Sequence, residues 1–488
     1  MIQKGKGQVT ISNDGATILK LISVTHPCAK MLVELSAAQD AEAGDGTTSV
    51  VVIAGSLLAA AERLLERGIH PSRISEAFQK ASKKACEFVR AVSLPVFLDD
   101  SKALQKAAST SLSSKVLAPH AESMSEIAVN ALKSVIRKDG TVDLKDVRMI
   151  KKVGGNIEET SLQTNAILLH QRPATAASGP TRIENAKIAL VQFQLSPPKP
   201  DIDSQIVVSD WRQMDRILKE ERQYLLEMCK KIKKSNANVL LVQKSILRDG
   251  VSELALHFLA KLKIMVVSEV ERDEIEYLSR ALGCAPIADI EGMREDRLGL
   301  AETVEEFALD GGGSCAPLTK ISGIKGNCAT AATSILVRGS NELVVEEVER
   351  SLHDALCVIR CLVREGAMIP GGGAPEMQAS LRLSEWAKGL EQGVEAVCVE
   401  EYARALEIIP ATLAENAGLD GVEVVSLLRK RHALAGDSGA GVNVRKGGVS
   451  GMLEEGVVQP LLVTLSAIGL ATEAVCLVLK IDDIVQSR

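Results

Sequence analysis

The two ends of this 488-residue chain share a sequence pattern that the middle lacks, and this contrast constrains the fold more than any single motif. Before residue 116 and after residue 373, apolar residues recur at the spacing of amphipathic helices. In between, short apolar runs alternate with helical segments, as in an α/β domain. A chain this long also exceeds a single core. The sequence predicts an α/β multidomain protein with a helical domain built from both ends. The predicted strands cover residues 142–144, 147–152, 188–191, 239–242, 264–267 and 335–337.

Residues 209–235 form a predicted helix of the middle region that is both long and densely charged. Ser209 is suited to cap its N-terminus, and its apolar residues recur at helical spacing. Two interpretations stay open: an amphipathic helix that packs on its own domain, or a projecting element that contacts a partner or substrate. The apolar positions are Met214, Leu218, Tyr224, Leu225, Met228 and Ile232.

Composition excludes several classes of protein. A formal net charge of -6 and a pI near 5.8 argue against a nucleic-acid binder, which normally carries a basic stripe. The ten cysteines form no CxxC pair and no cluster with metal-ligand spacing, so we expect reduced, buried thiols in a cytoplasmic protein, as at Cys357, Cys361 and Cys476. The most apolar stretch, residues 457–479, contains a proline and polar residues, which favours a buried core segment over a membrane span.

The run Gly44-Asp45-Gly46-Thr47-Thr48 is the strongest candidate for chemistry. Its glycines let the backbone approach a phosphate, which the first N–H groups of the helix predicted to follow can bind. The two threonine hydroxyls add donors, and Asp45 is suited to Mg²⁺, which takes one or two protein carboxylates together with phosphate oxygens. The alternative is a helix cap after a turn, because Asp and Thr are good capping residues. The run lacks the lysine of the ordinary P-loop.

Three further positions could complete such a site. The glycines at 371–373 could let a nucleotide sugar or base lie against bare backbone, or could simply form a turn. Asp354 lies among apolar residues of a predicted helix, where a carboxylate is costly unless it is paired or used, and Asp14 lies in a tight turn. Facing a γ-phosphate, the two could orient and deprotonate a water. Alternatively, Asp354 is a helix-surface acid and Asp14 a turn former.

Several motifs occur together, and in order, in one known family. Over essentially its whole length the chain resembles the group II chaperonins, in particular the subunits of the eukaryotic cytosolic complex called TRiC or CCT. The main motifs are Asn13-Asp14-Gly15-Ala16-Thr17, Ala43-Gly44-Asp45-Gly46-Thr47-Thr48-Ser49-Val50, Gly371-Gly372-Gly373-Ala374-Pro375-Glu376, Thr412-Leu413-Ala414-Glu415-Asn416-Ala417-Gly418 and Lys480-Ile481-Asp482-Asp483.

This resemblance implies a chaperonin fold with three domains. A mostly α-helical equatorial domain would comprise residues 1–116 and 373–488, and an α/β intermediate domain residues 117–181 and 334–372. An α/β apical domain would occupy residues 182–333. The charged helix at 209–235 would belong to its helical protrusion, which in the family forms a lid over the chamber.

The resemblance also assigns roles to single residues, for a site that binds ATP or ADP with Mg²⁺. Asp45 would bind the metal, Asp354 would activate the attacking water, and Asp14 would be a second carboxylate near that water. Asp354 would reach its site as the intermediate domain closes, which would couple hydrolysis to chamber closure. The other implied contacts are Gly44, Gly46, Thr47 and Thr48 to phosphate, Gly372 and Gly373 to ribose, and Gly441 and Gln459 to the nucleoside.

The implied function is that of a chaperone: an ATP-driven, hetero-oligomeric double ring that encloses and folds cytosolic proteins such as actin and tubulin. The expected partners are paralogous ring subunits and unfolded or partly folded proteins, with no nucleic acid and no membrane. Two other classes stay open. A small-molecule phosphotransferase could use the same glycine loops, and a structural ring subunit could bind ATP poorly.

Three departures from the family pattern bear on these alternatives. Chaperonins carry a further N-terminal segment with a Leu-Gly-Pro-x-Gly nucleotide loop, and this sequence starts beyond it. Either the sequence is an incomplete record of the subunit or one wall of its ATP site is absent, and the second alternative favours a structural ring subunit. Pro370 stands where the family usually has alanine before the triple glycine. Arg404 stands where it usually has an aspartate.

Overall fold

In the computed structural model the chain folds into two compact units. The first comprises Met1–Leu132 and Glu346–Arg488, so that it contains both chain ends, and the second comprises Lys133–Val345. The predicted apical segment lies within the second unit, while the four predicted domain boundaries stay a prediction. The structure describes residues 1–3, 9–98, 100–115, 117–137, 140–174, 179–197, 208, 210–245, 249–308, 317–324, 332–390, 393–433 and 437–485.

Helices make up most of the first unit, and strands are concentrated in the second. The helices are α1 (Gly15–Leu21), α2 (Pro27–Glu42), α3 (Thr47–Glu66), α4 (Pro71–Ala91), α5 (Ser101–Ser113), α6 (Ala121–Val135), α7 (Trp211–Lys234), α8 (Glu253–Lys261), α9 (Arg272–Leu282), α10 (Glu342–Glu365), α11 (Ala374–Lys388), α12 (Gly393–Leu406), α13 (Ile408–Asn416), α14 (Gly421–Ala433) and α15 (Leu461–Val478). The strands are β1 (Ile2–Gln3), β2 (Val9–Thr10), β3 (Leu94–Pro95), β4 (Val147–Val153), β5 (Ser161–Thr164), β6 (Ala166–Leu169), β7 (Arg182–Val191), β8 (Val239–Gln243), β9 (Met265–Val270), β10 (Gly299–Phe307), β11 (Leu318–Ile324), β12 (Thr333–Gly339), β13 (Ala367–Pro370), β14 (Ala440–Asn443), β15 (Gly448–Gly451) and β16 (Val458–Pro460).

The second unit is built on a six-stranded mixed sheet with the order β6-β11-β10-β7-β8-β9. Strands β7, β8 and β9 pair in parallel, with Ile188 opposite Val239, and the other pairs are antiparallel. Alternate residues of these strands enter two separate cores, as strand geometry requires: Ile188 and Leu241 pack with α9, whereas Ala189 and Leu240 pack with α7 and α8. The predicted α/β insertion is therefore a sheet covered by helices on both faces.

Two predictions in this unit are wrong. Residues 142–144 are not a strand: Asp143 accepts a hydrogen bond from the backbone N–H of Lys145 and starts a short 3₁₀ helix, Leu144–Asp146. Helix α7 is capped by Asp210, whose side chain accepts from the N–H of Arg212, while Ser209 lies outside the described residues.

Helix α7 also divides its apolar residues between two environments. Leu225, Met228 and Ile232 are buried in the core beneath the sheet. The earlier apolar positions stay exposed: Met214 by 51%, Leu218 by 42% and Tyr224 by 45%, together with Trp211 by 73%. Only the C-terminal half of the helix therefore packs on its own domain.

The first unit is held together by a helical core in which α15 is largely buried. Ile468, Ala471 and Val475 of α15 pack with residues of α3, α4, α11 and α12. Within the described part of the chain, two helices are long and apolar enough to cross a membrane, Thr47–Glu66 and Leu461–Val478, and both contribute to this core. The prediction that residues 457–479 form a buried core segment is confirmed. Cys357, Cys361 and Cys476 are buried free thiols, as predicted.

Arg404, the departure on α12, forms ion pairs on the helix surface. Its guanidinium lies 2.8 Å from the carboxylate of Glu400, one turn earlier, and 3.7 Å from that of Glu401. Glu401 is nearly buried and also pairs with Arg63 of α3 and with Arg67, the residue after this helix. Arg404 thus adds a third cation around a carboxylate that already has two.

Candidate functional site

The glycine-threonine run lies between the end of α2 and the start of α3. Gly44 and Gly46 both have positive φ, +68° and +74°, which side-chain-bearing residues rarely adopt. A Cβ at Gly44 would lie 2.2 Å from Cβ of Cys357 on α10, so no side chain fits there. Gly46 is the N-cap of α3 and has no side-chain cap bond, so the predicted alternative of an Asp or Thr cap is wrong. The start of α3 is left without a side-chain acceptor at its cap position.

Hydrogen bonds from side chains of α2 hold the loop backbone in place. Gln39 Nε2 donates to the carbonyl of Asp45 at 3.0 Å and to that of Val463 at 3.2 Å, which ties the loop to the start of α15. Asp45 Oδ1 accepts from the N–H of Gly46 at 2.8 Å. Ser36 donates to the carbonyl of Thr47 at 3.1 Å. The loop backbone is therefore held in place before any ligand binds.

The triple glycine follows β13 and leads into α11, whose N-cap is Gly373. The carbonyl of Gly372 accepts from the N–H of Val442 on β14 at 2.9 Å. A Cβ at Gly441 would lie 2.8 Å from the carbonyl oxygen of Gly371, so the hairpin β14–β15 approaches the triple glycine backbone to backbone. Pro370 ends β13 opposite Val458 of β16, and no described contact distinguishes it from the usual alanine.

The loop and the triple glycine face one cavity of about 1360 Å³ in the first unit. Of the predicted site residues, Asp45, Gly46, Thr48, Gly372, Gly373 and Gln459 line it. Gly44, Thr47, Gly441, Asp14 and Asp354 do not line it. The last two reach the loop through neighbouring side chains.

Asp14 connects to the loop through Thr47. It caps α1, where it accepts from the N–H groups of Ala16 and Thr17, and its Oδ1 also accepts from the Thr47 hydroxyl at 3.3 Å. Burial raises the pKa of Asp14, but the hydrogen bonds from Thr17 and Ala16 and the charge of Lys115 outweigh it, so that the net pKa is lowered. Asp14 is thus a helix cap rather than the predicted turn former, and the same carboxylate also accepts from Thr47 of the phosphate-loop candidate.

Asp354 forms an ion pair with Lys115, a residue that the sequence did not single out. Both side chains are largely buried, at 13% and 10% exposed. Burial lowers the pKa of Lys115, and the nearby charges of Asp45, Asp14, Glu347 and Asp40 oppose this shift without cancelling it. Lys115 follows the end of α5 in a serine-rich stretch, where nothing in the pattern marks it. It joins the predicted carboxylates into one charged cluster.

Asp40 is a further carboxylate of this cluster that the sequence did not predict. Burial raises its pKa, and the charge of Asp14 raises it further, while His353 and Lys115 act in the opposite direction. Among the described residues, no group of three or more His, Cys, Asp and Glu side chains has the geometry of a metal site. A metal held by Asp45 would therefore take most of its other ligands from the nucleotide and water, which is the usual arrangement for Mg²⁺.

The far end of the cavity contains a different kind of polar group. Gln459 Nε2 donates to Thr464 Oγ1 at 2.8 Å, and Thr464 Oγ1 donates to Glu376 Oε1 at 3.3 Å. Glu376 Oε2 is buried without a partner in the described structure, and burial raises the pKa of this carboxyl. The sequence could not reveal Glu376 as unusual, because an acid in the first turn of a helix is common.

Comparison with known proteins identifies the family of the chain. The sequence profile of the TCP-1/cpn60 chaperonin family matches residues 1–488, and the chain belongs to that family. Within it, the chain is 58% identical to T-complex protein 1 subunit delta of Schizosaccharomyces pombe, covering all of this chain and 91% of the relative. The subunit delta proteins of Saccharomyces cerevisiae and Arabidopsis thaliana are 53% and 55% identical, each over all of this chain and 91% and 90% of the relative.

The predicted resemblance to TRiC/CCT subunits and the multidomain α/β chaperonin fold are confirmed by these matches. The roles of single residues at the cavity stay predictions.

Proposed function

We propose that this chain is an ATP-hydrolysing subunit of a hetero-oligomeric ring chaperonin. Its relatives carry the name of a subunit, which supports assembly with paralogous chains. The observation that carries the proposal is the cavity itself: a glycine loop opening a 20-residue helix at one end, and a triple glycine opening α11 at the other.

The loop end suits the phosphates of ATP. The first N–H groups of α3 have no intrahelical partners, and the helix dipole favours an anion at this position. Thr48 and Asp45 line the cavity, and Asp45 would hold the Mg²⁺ that accompanies the nucleotide. The missing Cβ atoms of Gly44 and Gly46 let the loop backbone pack closely against Cys357 and Val463, which holds it in this conformation.

The charged cluster beside the loop suits hydrolysis. Asp354 and Asp14 are carboxylates that can accept a proton from a water, and both are linked to the loop region through Lys115 or Thr47. Lys115 would add a cation beside the loop, of the kind that compensates charge on transferred phosphoryl oxygens. The substrates of the ring would be unfolded cytosolic proteins such as actin and tubulin, with the exposed apolar residues of α7 available for contact.

The test measures nucleotide binding and steady-state hydrolysis by this subunit. The subunit is kept in its assembled ring, purified as a complex from the cytoplasm. The unchanged chain should bind and hydrolyse ATP, and Asp354→Ala should bind it without comparable hydrolysis. If the subunit assembles but leaves ATP unbound, it is a structural ring member instead. A chain that stays monomeric under native conditions would contradict both ring proposals.

A further inference from the structure

His432 is a buried histidine in the last turn of α14, 7% exposed, that the proposed function does not use. Both of its ring nitrogens have an oxygen within hydrogen-bond distance. Nδ1 lies 2.8 Å from Oε1 of Gln378 on α11, and Nε2 lies 2.7 Å from the carbonyl oxygen of Ala440, the first residue of β14. One buried side chain therefore connects three elements of the first unit.

The carbonyl of Ala440 determines which nitrogen of His432 carries a hydrogen. A carbonyl can only accept, so Nε2 is the donor in the neutral ring as well as in the protonated one. Burial lowers the pKa of His432 and favours the neutral ring, although the Ala440 hydrogen bond and the charge of Asp437 act in the opposite direction. In the neutral ring Nδ1 accepts, and the Gln378 amide turns its nitrogen toward it. The bond to Ala440 is thus the same in both states of the ring.

Strand β14 connects this histidine to the cavity. Val442 lines the cavity, and its N–H donates to the carbonyl of Gly372 at 2.9 Å. Within the described residues β14 pairs with β15 alone, and a two-stranded hairpin is marginally stable by itself. Ala440 and Val442 also pack in a small core with Leu428, but apolar packing is not directional. The exact position of the hairpin therefore depends on its hydrogen bonds at Ala440 and Val442.

We infer that His432 is a positioning residue for the nucleotide cavity. Its Nε2–H holds the first residue of β14, and the hairpin in turn holds the carbonyl of Gly372 through Val442. His432 is not among the described residues that line the cavity, so it acts through this wall rather than by touching the nucleotide. The inference rests on the proposed function, because it adds a positioning residue to the same site.

This position in the fold predicts that nucleotide affinity and hydrolysis respond differently to the loss of the Nε2 donor. The groups proposed for hydrolysis, Asp354, Asp14 and Lys115, lie beside the phosphate loop at the other end of the cavity. The wall at Gly372 contributes to binding instead. A His432 variant without the donor should therefore bind ATP more weakly and hydrolyse the bound ATP at the unchanged rate.

Two amide substitutions distinguish the two ring nitrogens. In His432→Gln the amide nitrogen can reach the position of Nε2 and keep the bond to Ala440. In His432→Asn the shorter amide ends near the position of Nδ1 and loses that bond, and His432→Leu removes both bonds. The matched control is Gln378→Leu, which removes the partner of Nδ1 and disturbs the same buried region but leaves the Nε2 bond intact. It should lower stability without changing nucleotide affinity.

The experiment uses the assembled ring and a photoreactive azido-ATP that labels this subunit. Competition by ATP gives the affinity, and the loss of a radioactive γ-phosphate, relative to an α-phosphate label, gives single-turnover hydrolysis by this subunit alone. The affinity should fall about three- to tenfold in His432→Leu and His432→Asn, the size of one neutral hydrogen bond. It should change less than about twofold in His432→Gln and Gln378→Leu, and the hydrolysis rate less than about twofold in all four variants. Thermal unfolding of each variant measures stability separately.

The outcomes distinguish the inference from the proposed function. If ATP fails to compete in the unchanged chain, the proposed function fails, and the inference with it. If ATP competes there but binds equally well to His432→Leu and His432→Asn, the inference alone is overturned. An equal loss of affinity in Gln378→Leu would overturn it as well, because general destabilisation would then be the cause. A loss in His432→Gln as large as in His432→Asn would do the same, because the donor at Nε2 would not be the cause.

Discussion

The two ends of the cavity use opposite physical means to prepare for a ligand. At the phosphate-loop end, Asp14, Asp40, Asp45 and Asp354 are gathered around Lys115, so charge dominates. At the triple-glycine end, Glu376, Thr464 and Gln459 form a series of directed hydrogen bonds, and burial favours the neutral form of the one acid. The first end is suited to charged phosphates and proton transfer, and the second to orienting an uncharged sugar.

This difference has a consequence for mutagenesis. Changes at the charged end should alter rates of hydrolysis by large factors, because charge compensation acts on the transition state. Changes at the neutral end should mainly alter stability, by the smaller free energies of single hydrogen bonds and buried polar groups.

Asp354→Asn should have the largest effect. The amide keeps the shape of the side chain but cannot accept a proton from water, so hydrolysis by this subunit should fall about 10²- to 10⁴-fold, the usual contribution of a general base. Binding of ATP should change far less. The measurement is single-turnover hydrolysis together with nucleotide affinity, and Glu342→Gln, an exposed acid at the start of the same helix, is the control. Unchanged hydrolysis at an occupied site would remove Asp354 from the mechanism.

Gly44→Ala should have the second-largest effect, because it disturbs the backbone of the phosphate loop. The alanine would have to keep a φ of +68°, and its Cβ would lie 2.2 Å from Cβ of Cys357. The substitution therefore combines backbone strain with overpacking. We expect a loss of about 2–5 kcal/mol in the stability of the first unit together with loss of ATP binding. Thermal unfolding and nucleotide binding measure this. The matched control is Gly55→Ala in α3, where a Cβ meets nothing within 4 Å and where stability should be unchanged or slightly raised. Equal effects of the two substitutions would show that the loop is not constrained as described.

The pH dependence of the stability of Glu376→Gln tests the neutral end of the cavity. Burial raises the pKa of Glu376 above its ordinary value of 4.5, so the folded chain binds more protons than the unfolded chain as the pH rises above that value. The unchanged chain therefore loses stability as the pH rises from about 4.5 toward the raised pKa, and the glutamine variant does not. The unfolding temperature of Glu376→Gln, relative to that of the unchanged chain, should increase between pH 5 and pH 8. The free-energy difference should be about 1–3 kcal/mol, the cost of a buried polar group without a partner.

The control for this pH series is Glu385→Gln, an exposed acid on the same helix, whose effect on stability should be small and independent of pH. A parallel shift of both variants with pH would contradict the assignment of the effect to Glu376.

Arg404→Ala should have the smallest effect, because Arg404 lies outside both ends. It is 56% exposed, and Glu401 retains Arg63 and Arg67, so the loss should be below about 1 kcal/mol with ATP hydrolysis unchanged. Chemical denaturation and hydrolysis assays measure both quantities. A strong loss of hydrolysis would show that the cavity is not the sole determinant of activity in this unit.

The sequence predicted the charged end better than the neutral end, for physical reasons. Glycines that need positive φ before an apolar helix leave a local pattern, so the run from Gly44 to Thr48 could be found directly. Lys115 and Asp40 join it only through the tertiary fold, because neither differs from a surface residue in its own segment. Gln459 was predicted by resemblance alone.

The same distinction applies to the fold. Strands at 188–191 and 239–242 and most helices follow from periodicity, which the structure confirms. The strand predicted at 142–144 is wrong because the Asp143 side chain accepts from the N–H of Lys145 and starts a 3₁₀ helix instead. For α7 the periodicity left two interpretations open, because it does not reveal what a helix face packs against.

The central claim is that one cavity holds the nucleotide with its phosphates at the loop and its sugar at the triple glycine. The most direct measurement is electron cryo-microscopy of the assembled ring with a non-hydrolysable ATP analogue and Mg²⁺. The predicted result is nucleotide density in this subunit, with phosphates against Gly46 and Thr48 and with the sugar beside Gln459. An empty cavity here while neighbouring subunits are filled, or a nucleotide bound in the reverse orientation, would contradict the account.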